Sequence, residues 1–157
     1  MADQHITEQY IIFTLGEEEY AMPITIVDEI VKVENLIPVP KSKPYFTGVM
    51  DIRGKVVNMI DLAKKLGIRD YSFNERSKSE RAIIVNIFKK PTGILVDKVA
   101  HVIHLPPNAI DPPPPSVKGI SSRYIIGVGK KDNRFIILID IEKIMSAEDL
   151  SEINNVF

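Results

Sequence analysis

The chain of 157 residues has no cysteine and no tryptophan. Without cysteine it can build no disulfide framework, no thiolate metal site and no thiol nucleophile. Without tryptophan, and with Tyr and Phe mostly inside apolar runs, it lacks the aromatic platforms on which small barrels stack single-stranded nucleic acid. An excess of charge of one sign is also missing. Twenty Lys and Arg are dispersed among 21 Asp and Glu, leaving a formal charge of -1 and no basic footprint for a phosphate backbone. No segment approaches the ~20 apolar residues of a membrane span, and "MADQHITEQY" has no basic run leading into an apolar one. These absences lead us to expect a soluble cytoplasmic protein with no nucleic-acid partner and no direct membrane insertion.

Motifs of catalysis are equally sparse. No Gly-rich phosphate loop follows a strand, and no serine elbow or nucleophile-base spacing occurs. His101 and His104 lie three apart on a predicted strand and so face opposite sides, which prevents them from chelating one ion. Glu17 to Glu19 read as a solvated turn. The expectation is therefore no catalytic residue, no metal and no cofactor. Two alternative classes, an enzyme with carboxylates assembled across a cleft and a small-barrel nucleic-acid-binding module, rank below a non-catalytic interaction protein.

What is present is a succession of β-branched runs between turn signals, 45% hydrophobic overall, enough to bury a real core. "EQYIIFTL" predicts a strand over Glu8 to Leu15, followed by a polar turn at Gly16 to Glu19. Pro23 suits the first position of a short helical turn. "EIVKV" alternates as a strand should, and "GVMDIRGKVVNMIDL" (Gly48 to Leu62) is an apolar hairpin with Arg-Gly at its bend. "DLAKKLG" reads as a short helix capped by Asp61 and stopped by Gly67. The polar stretch "RDYSFNERSKSE" is the linker candidate.

The same plan then returns. Tyr45 to Leu66 laid on Tyr124 to Met145 without a gap matches at six of 22 places, and Val27 to Pro38 laid on Val96 to Pro107 matches at five of twelve. In the first window Gly54 falls on Asn133, and these two residue types most readily adopt a left-handed backbone. The pattern predicts two copies of one small β unit. About five short strands per copy suit a small closed barrel. The expected fold is all-β with short helices: two small five-stranded closed barrels related by internal duplication. They form one domain over 8–146, with halves near 8–68 and 80–146, a linker at 69–79 and a C-terminal helix at 147–157 capped by Ser146. Strands such as "RFIILID" are apolar on both faces, so part of that surface must meet the sister barrel, the terminal helix or another protein.

The motifs "YIIFTLGEEEYAMPITIVDEI", "GVMDIRGKVVNMIDL", "GILVDKVAHVIHLPPNAIDPPPP" and "YIIGVGKKDNRFIILIDIEKI" stand in an order that resembles the CheW-like adaptor family of bacterial chemotaxis, over roughly Gln9 to Met145. The resemblance is to single-domain adaptors rather than to forms fused to a receiver. It implies that the barrels are Src-homology-3-like and form a scaffold that joins the cytoplasmic tips of chemoreceptors to the regulatory domain of the histidine kinase CheA. It also implies recruitment to membrane-associated receptor arrays and a monomer when free.

The same resemblance implies a receptor-binding surface containing Val27, Glu29, Ile30, Gly48, Arg53, Gly93, Val99 and Val102. Arg53 fits such a role chemically, because its planar fork can hold a carboxylate or a helix-end carbonyl. A purely internal role for Arg53 is a pair with Asp51 or Glu29, and core packing is the competing role for the valines, Ile30 and Gly93. Asp51 replaces the Asn usual in the family, and Asn58 sits where Pro is common. The partner implied is an α-helical hairpin seated in an apolar groove between the barrels, steered by charge at the rim.

Asp111 and Ser116 flank "PPPP", a stiff segment poorly able to join a sheet. Sequence alone makes it a rigid connector; the resemblance makes Asp111 and Ser116 candidates for kinase binding.

Overall fold

The computed structural model describes residues 8–39, 43–68, 78–117 and 119–145. Most of the expected linker and the whole C-terminal helix with its Ser146 cap lie outside the described residues.

The N-terminal strand β1 (Glu8–Leu15) has the expected bounds, and it turns through Gly16 at φ 64° into β2 (Glu18–Pro23). The turn is shorter than the acidic run suggested, because Glu18 and Glu19 already pair with Leu15 and Thr14. The expected helical turn is a 3-10 turn over Ile24–Ile26, and Pro23 ends β2 as its N-cap, at φ -59° and ψ 136°, one place before the first helical position. The next elements are β3 (Val27–Lys32), β4 (Phe46–Ile52), β5 (Lys55–Asp61) and the short helix α1 (Leu62–Lys65), where the Asp61 carboxylate accepts from the Lys64 N–H. After them come β6 (Arg81–Ile87), β7 (Lys90–Val96) and β8 (Lys98–Leu105). The chain then makes two-residue strands β9 (Ile110–Asp111), β10 (Ser116–Val117) and β11 (Ile120–Ser121), and closes with β12 (Ile125–Lys131), β13 (Arg134–Ile139) and α2 (Ile141–Ile144).

Two sheets carry the fold. One has the order β3-β6-β7-β5-β4, the other β8-β1-β2-β13-β12 with β9 added at its edge, and β10 pairs separately with β11. Read in parallel, the two orders are the same unit. β5 runs parallel to β7 as β13 runs parallel to β2, and bulges interrupt β3 on β6 and β8 on β1. Asp61 and Asp140 both cap a four-residue helix, and their N–H groups bond to the carbonyls of Tyr45 and Tyr124, the residues aligned by the sequence repeat. Each sheet nevertheless draws on both halves of the chain. β6 and β7 complete the sheet of β3, β4 and β5, while β1 and β2 complete the other, so the expected halves 8–68 and 80–146 do not coincide with the sheets.

Closure is visible in the first sheet at its open edges. Past β3 the chain reaches β4, where Ile37 and Val49 exchange two backbone hydrogen bonds of 2.8 Å. In the other sheet Leu105 of β8 packs onto Gly129 of β12, a strand four places away in the order.

The strands apolar on both faces find two cores. Alternate residues, Tyr10, Ile12, Ile136 and Leu138 in one sheet and Met59, Ala82, Ile84 and Leu95 in the other, form a small core private to each. Residues between them, among them Phe13, Tyr20, Ile60, Ile83, Ile94 and Ile137, merge into one large core shared by both sheets. At ~1.5–3 kcal/mol for each fully buried aliphatic side chain, this shared layer makes the two sheets one folding unit. The expected surplus apolar surface thus faces the sister barrel, and it fills the space between them.

Candidate functional site

The β4–β5 hairpin turns on two residues, Arg53 at φ 53° and Gly54 at φ 86°. Two consecutive left-handed residues match the twist of a two-residue hairpin, a geometry served best by Asn, Asp and Gly. The sister β12–β13 hairpin follows that rule with Asp132 at φ 51° and Asn133 at φ 61°. Arg53 departs from it. A left-handed L-residue costs roughly 1–2 kcal/mol, and Arg has no short polar group to offset it locally.

Asp51 serves the turn, accepting from the Gly54 N–H at 2.7 Å, and the guanidinium goes instead to Glu29, with Nη2 3.4 Å from Oε1. Strict alternation would set Arg53 on the face away from Ile52. The strand ends at Ile52, however, and the left-handed turn brings Arg53 round, so both residues line the same two hollows. The larger, about 840 Å³, has Val31, Ile37 and Met50 in its wall; the smaller, about 380 Å³, has Val57 and Ile84. Glu29, Ile52 and Arg53 line both hollows, which places the ion pair where the two meet.

The bulge between Val27 and Glu29 decides what β3 presents. Val27 pairs with Val85 and Ile30 with Ile83, both shared-core residues, whereas Glu29 pairs with Ile84 and Val31 with Ala82, on the private-core side. Directly paired residues share a face. Val27 and Ile30 therefore sit together at the margin of the shared core, and Glu29 is turned to the opposite face toward Arg53. On β8 a matching bulge pairs Val102 with Ile11 and Val99 with Phe13, again shared-core residues. The 3-10 turn at Ile24–Ile26 contacts both β1 and β6, the strands on which β8 and β3 lie. Each of these two edge strands thus borders the shared core, and the strands that carry them meet at this turn. Val27 and Val99 are half-buried against it, and Ile30 and Val102 are exposed at 38% and 36%.

The glycines are placed elsewhere. A Cβ on Gly48, at φ 151°, would run into the Ile37 carbonyl, and one on Gly93 would run into the Met59 side chain inside the private core. Both are buried, and Gly93 lies against Met59 and Ile84 of a private core whereas Val99 and Val102 pair with shared-core residues, so the structure does not bring Gly93 together with them. Asp111 ends the edge strand β9 and holds Lys130 at 2.7 Å, an ion pair that no local sequence pattern announced. Ser116 opens β10 beyond the prolines. His104 stands beside Gln9 with 2.9 Å between Nε2 atoms.

Two exposed features have no local signature in the sequence. Ile37, 60% exposed, lines the larger hollow although it belongs to no named strand. Phe88 and Lys89 form the β6–β7 turn at φ 49° and 66°, with no Gly, Asn or Asp to mark it.

A family model described as the CheW-like domain matches residues 9–149. A chemotaxis protein CheW of Klebsiella aerogenes is 32% identical over 99% of this chain and 92% of its own length. One from Treponema pallidum is 31% identical over 94% of this chain and 87% of its own length. Among solved structures, the crystal structure of the scaffolding protein TtCheW from Thermoanaerobacter tengcongensis superposes with a TM-score of 0.80 at 33% identity, covering 92% of this chain and 91% of that one. Among the described residues no helix is long and apolar enough to cross a membrane.

Proposed function

The chain belongs to the CheW-like domain family of chemotaxis scaffold proteins, and from that premise we propose that it couples chemoreceptors to the histidine kinase CheA without catalysis. The receptor's helical hairpin tip lies along the apolar margin made by Val27, Ile30, Val99 and Val102. Arg53, held by Glu29, reaches a carboxylate or a terminal carbonyl of that tip. Apolar contact supplies most of the affinity and the charged pair fixes orientation. Gly48 and Gly93 act on this surface through packing, by letting Ile37 and Met59 come close. The kinase regulatory domain binds at the β9–β10 segment, with Asp111 and Ser116 on either side of the prolines. The protein acts in the cytoplasm at membrane-associated receptor arrays and is a monomer when free.

The observation that carries this reading is Arg53 itself. Its backbone is in a region unfavourable to arginine, its side chain is 81% exposed, and the sister hairpin bends without it. An exposed 3.4 Å pair with Glu29 contributes at most about 1 kcal/mol, too little to account for arginine at a position better suited to Asn.

The test is separate capture of a receptor-tip fragment and of a CheA regulatory domain. Arg53→Glu is expected to impair the first and spare the second. Equal loss of both, with a cooperative melt retained, would refute the surface assignment.

A further inference from the structure

The feature that set Arg53 apart occurs once more in the same sheet, with no role attached to it. β6 turns into β7 through Phe88 and Lys89, both left-handed, at a two-residue bend that Asn-Gly would make without strain. The corresponding β1–β2 bend of the sister sheet begins on Gly16. Phe88 leaves about half of its surface open to solvent, being 52% exposed. Lys89 lines the 380 Å³ hollow together with Arg53, Lys55, Asp28 and Glu29, so this tip and the Arg53 tip border one depression. The rim carries three cations against two carboxylates, and Glu29 is already engaged by Arg53. Among the described residues Lys55 and Lys89 form no ion pair. Its floor includes Ile52 and Ile84.

We propose that the Phe88–Lys89 tip is a second docking element for the receptor tip, and that it takes an acidic helical segment. Lys89, with Lys55 across the hollow, holds a carboxylate of that segment, and the Phe88 ring covers an apolar side chain about one turn along the same helix, where positions three or four apart share a face. A basic segment is repelled by the same rim. This inference rests on the receptor-binding reading above and extends it to a residue pair outside the surface assigned there.

The experiment is a binding titration of a receptor-tip fragment and, separately, of a CheA regulatory domain, against the full chain, F88N/K89G and Arg53→Asn. F88N/K89G is expected to melt at or above the temperature of the unaltered protein, to weaken receptor-tip binding tenfold or more, and to leave kinase binding unchanged. Lys89→Gln, which keeps the ring, is expected to lose part of that affinity and to make the remainder less sensitive to salt. Should F88N/K89G melt lower, Phe88→Asn and Lys89→Gln singly provide the comparison. Unchanged receptor affinity in F88N/K89G while Arg53→Asn is weakened overturns this inference and leaves the receptor reading standing. No receptor-tip binding by the unaltered chain overturns both. Loss of kinase binding alone overturns the inference by giving the tip to the other partner.

Discussion

Glu29 on β3 and Arg53 in the β4–β5 turn are joined by a 3.4 Å contact, and both residues line the same two surface hollows. Glu29 reaches that position because a bulge after Val27 turns it to the private-core face of β3. Arg53 reaches it because a left-handed turn takes it out of the strand's alternation.

Arg53→Asn should therefore not destabilise the fold. Asn tolerates the left-handed backbone, which recovers on the order of 1 kcal/mol, and the exposed ion pair that is lost contributes no more than that. Thermal denaturation is expected to show an equal or higher melting temperature. A fall of several degrees would show that Arg53 serves the fold.

Gly48 and Gly93 are expected to fail for different reasons. Gly93→Ala meets the flexible Met59 side chain, which can shift, and should cost about 1–3 kcal/mol. Gly48→Ala meets the rigid Ile37 carbonyl at φ 151°, so its cost should exceed that of Gly93→Ala. Urea denaturation of the two variants checks the order, and the reverse order would contradict the packing described.

The shared core makes a prediction about cooperativity. Ile83→Ala, at a fully buried position of that core, should cost about 2–5 kcal/mol. Hydrogen exchange should show the loss in the central strands of both sheets, β2 and β13 as well as β6 and β7. A loss confined to the β6 sheet would mean that the sheets unfold independently.

Alkali should weaken the fold through Tyr10. Burial, followed by the Glu8 carboxylate that accepts from its hydroxyl at 3.0 Å, pushes this phenol up to about 12 from the ordinary 10. Above pH 10 the unfolded chain loses this proton while the folded chain keeps it, so stability falls with rising pH until the folded group ionises near 12. Tyr20, raised by burial and then by Glu18, adds to the same slope. Tyr10→Phe should flatten the fall in stability between pH 10 and 12, and an unchanged slope would contradict this origin.

Much of this architecture was legible in the chain because it is written in local chemistry. Asp61 announced a helix cap, Gly54 and Asn133 announced equivalent bends, and double-faced strands such as "RFIILID" announced apolar surface beyond what one barrel interior needs. The strand exchange was not legible, because any apolar strand of suitable length satisfies either sheet and only the tertiary pairing of β6 with β3 selects one. The faces of Val27, Glu29 and Ile30 were hidden for a similar reason. A bulge leaves no residue signature here, yet it reverses which side chain meets the core. The Phe88–Lys89 bend was invisible because turn rules search for Gly and Asn.

The most direct test of the docking account is residue-resolved NMR mapping on the isotope-labelled protein as a chemoreceptor-tip fragment is added. The account predicts that amides near Val27, Ile30, Arg53, Val99 and Val102 shift together and saturably, while those around Asp111 and Val117 stay in place. Shifts confined to the β9–β10 segment, or none along the margin of the shared core, would contradict it.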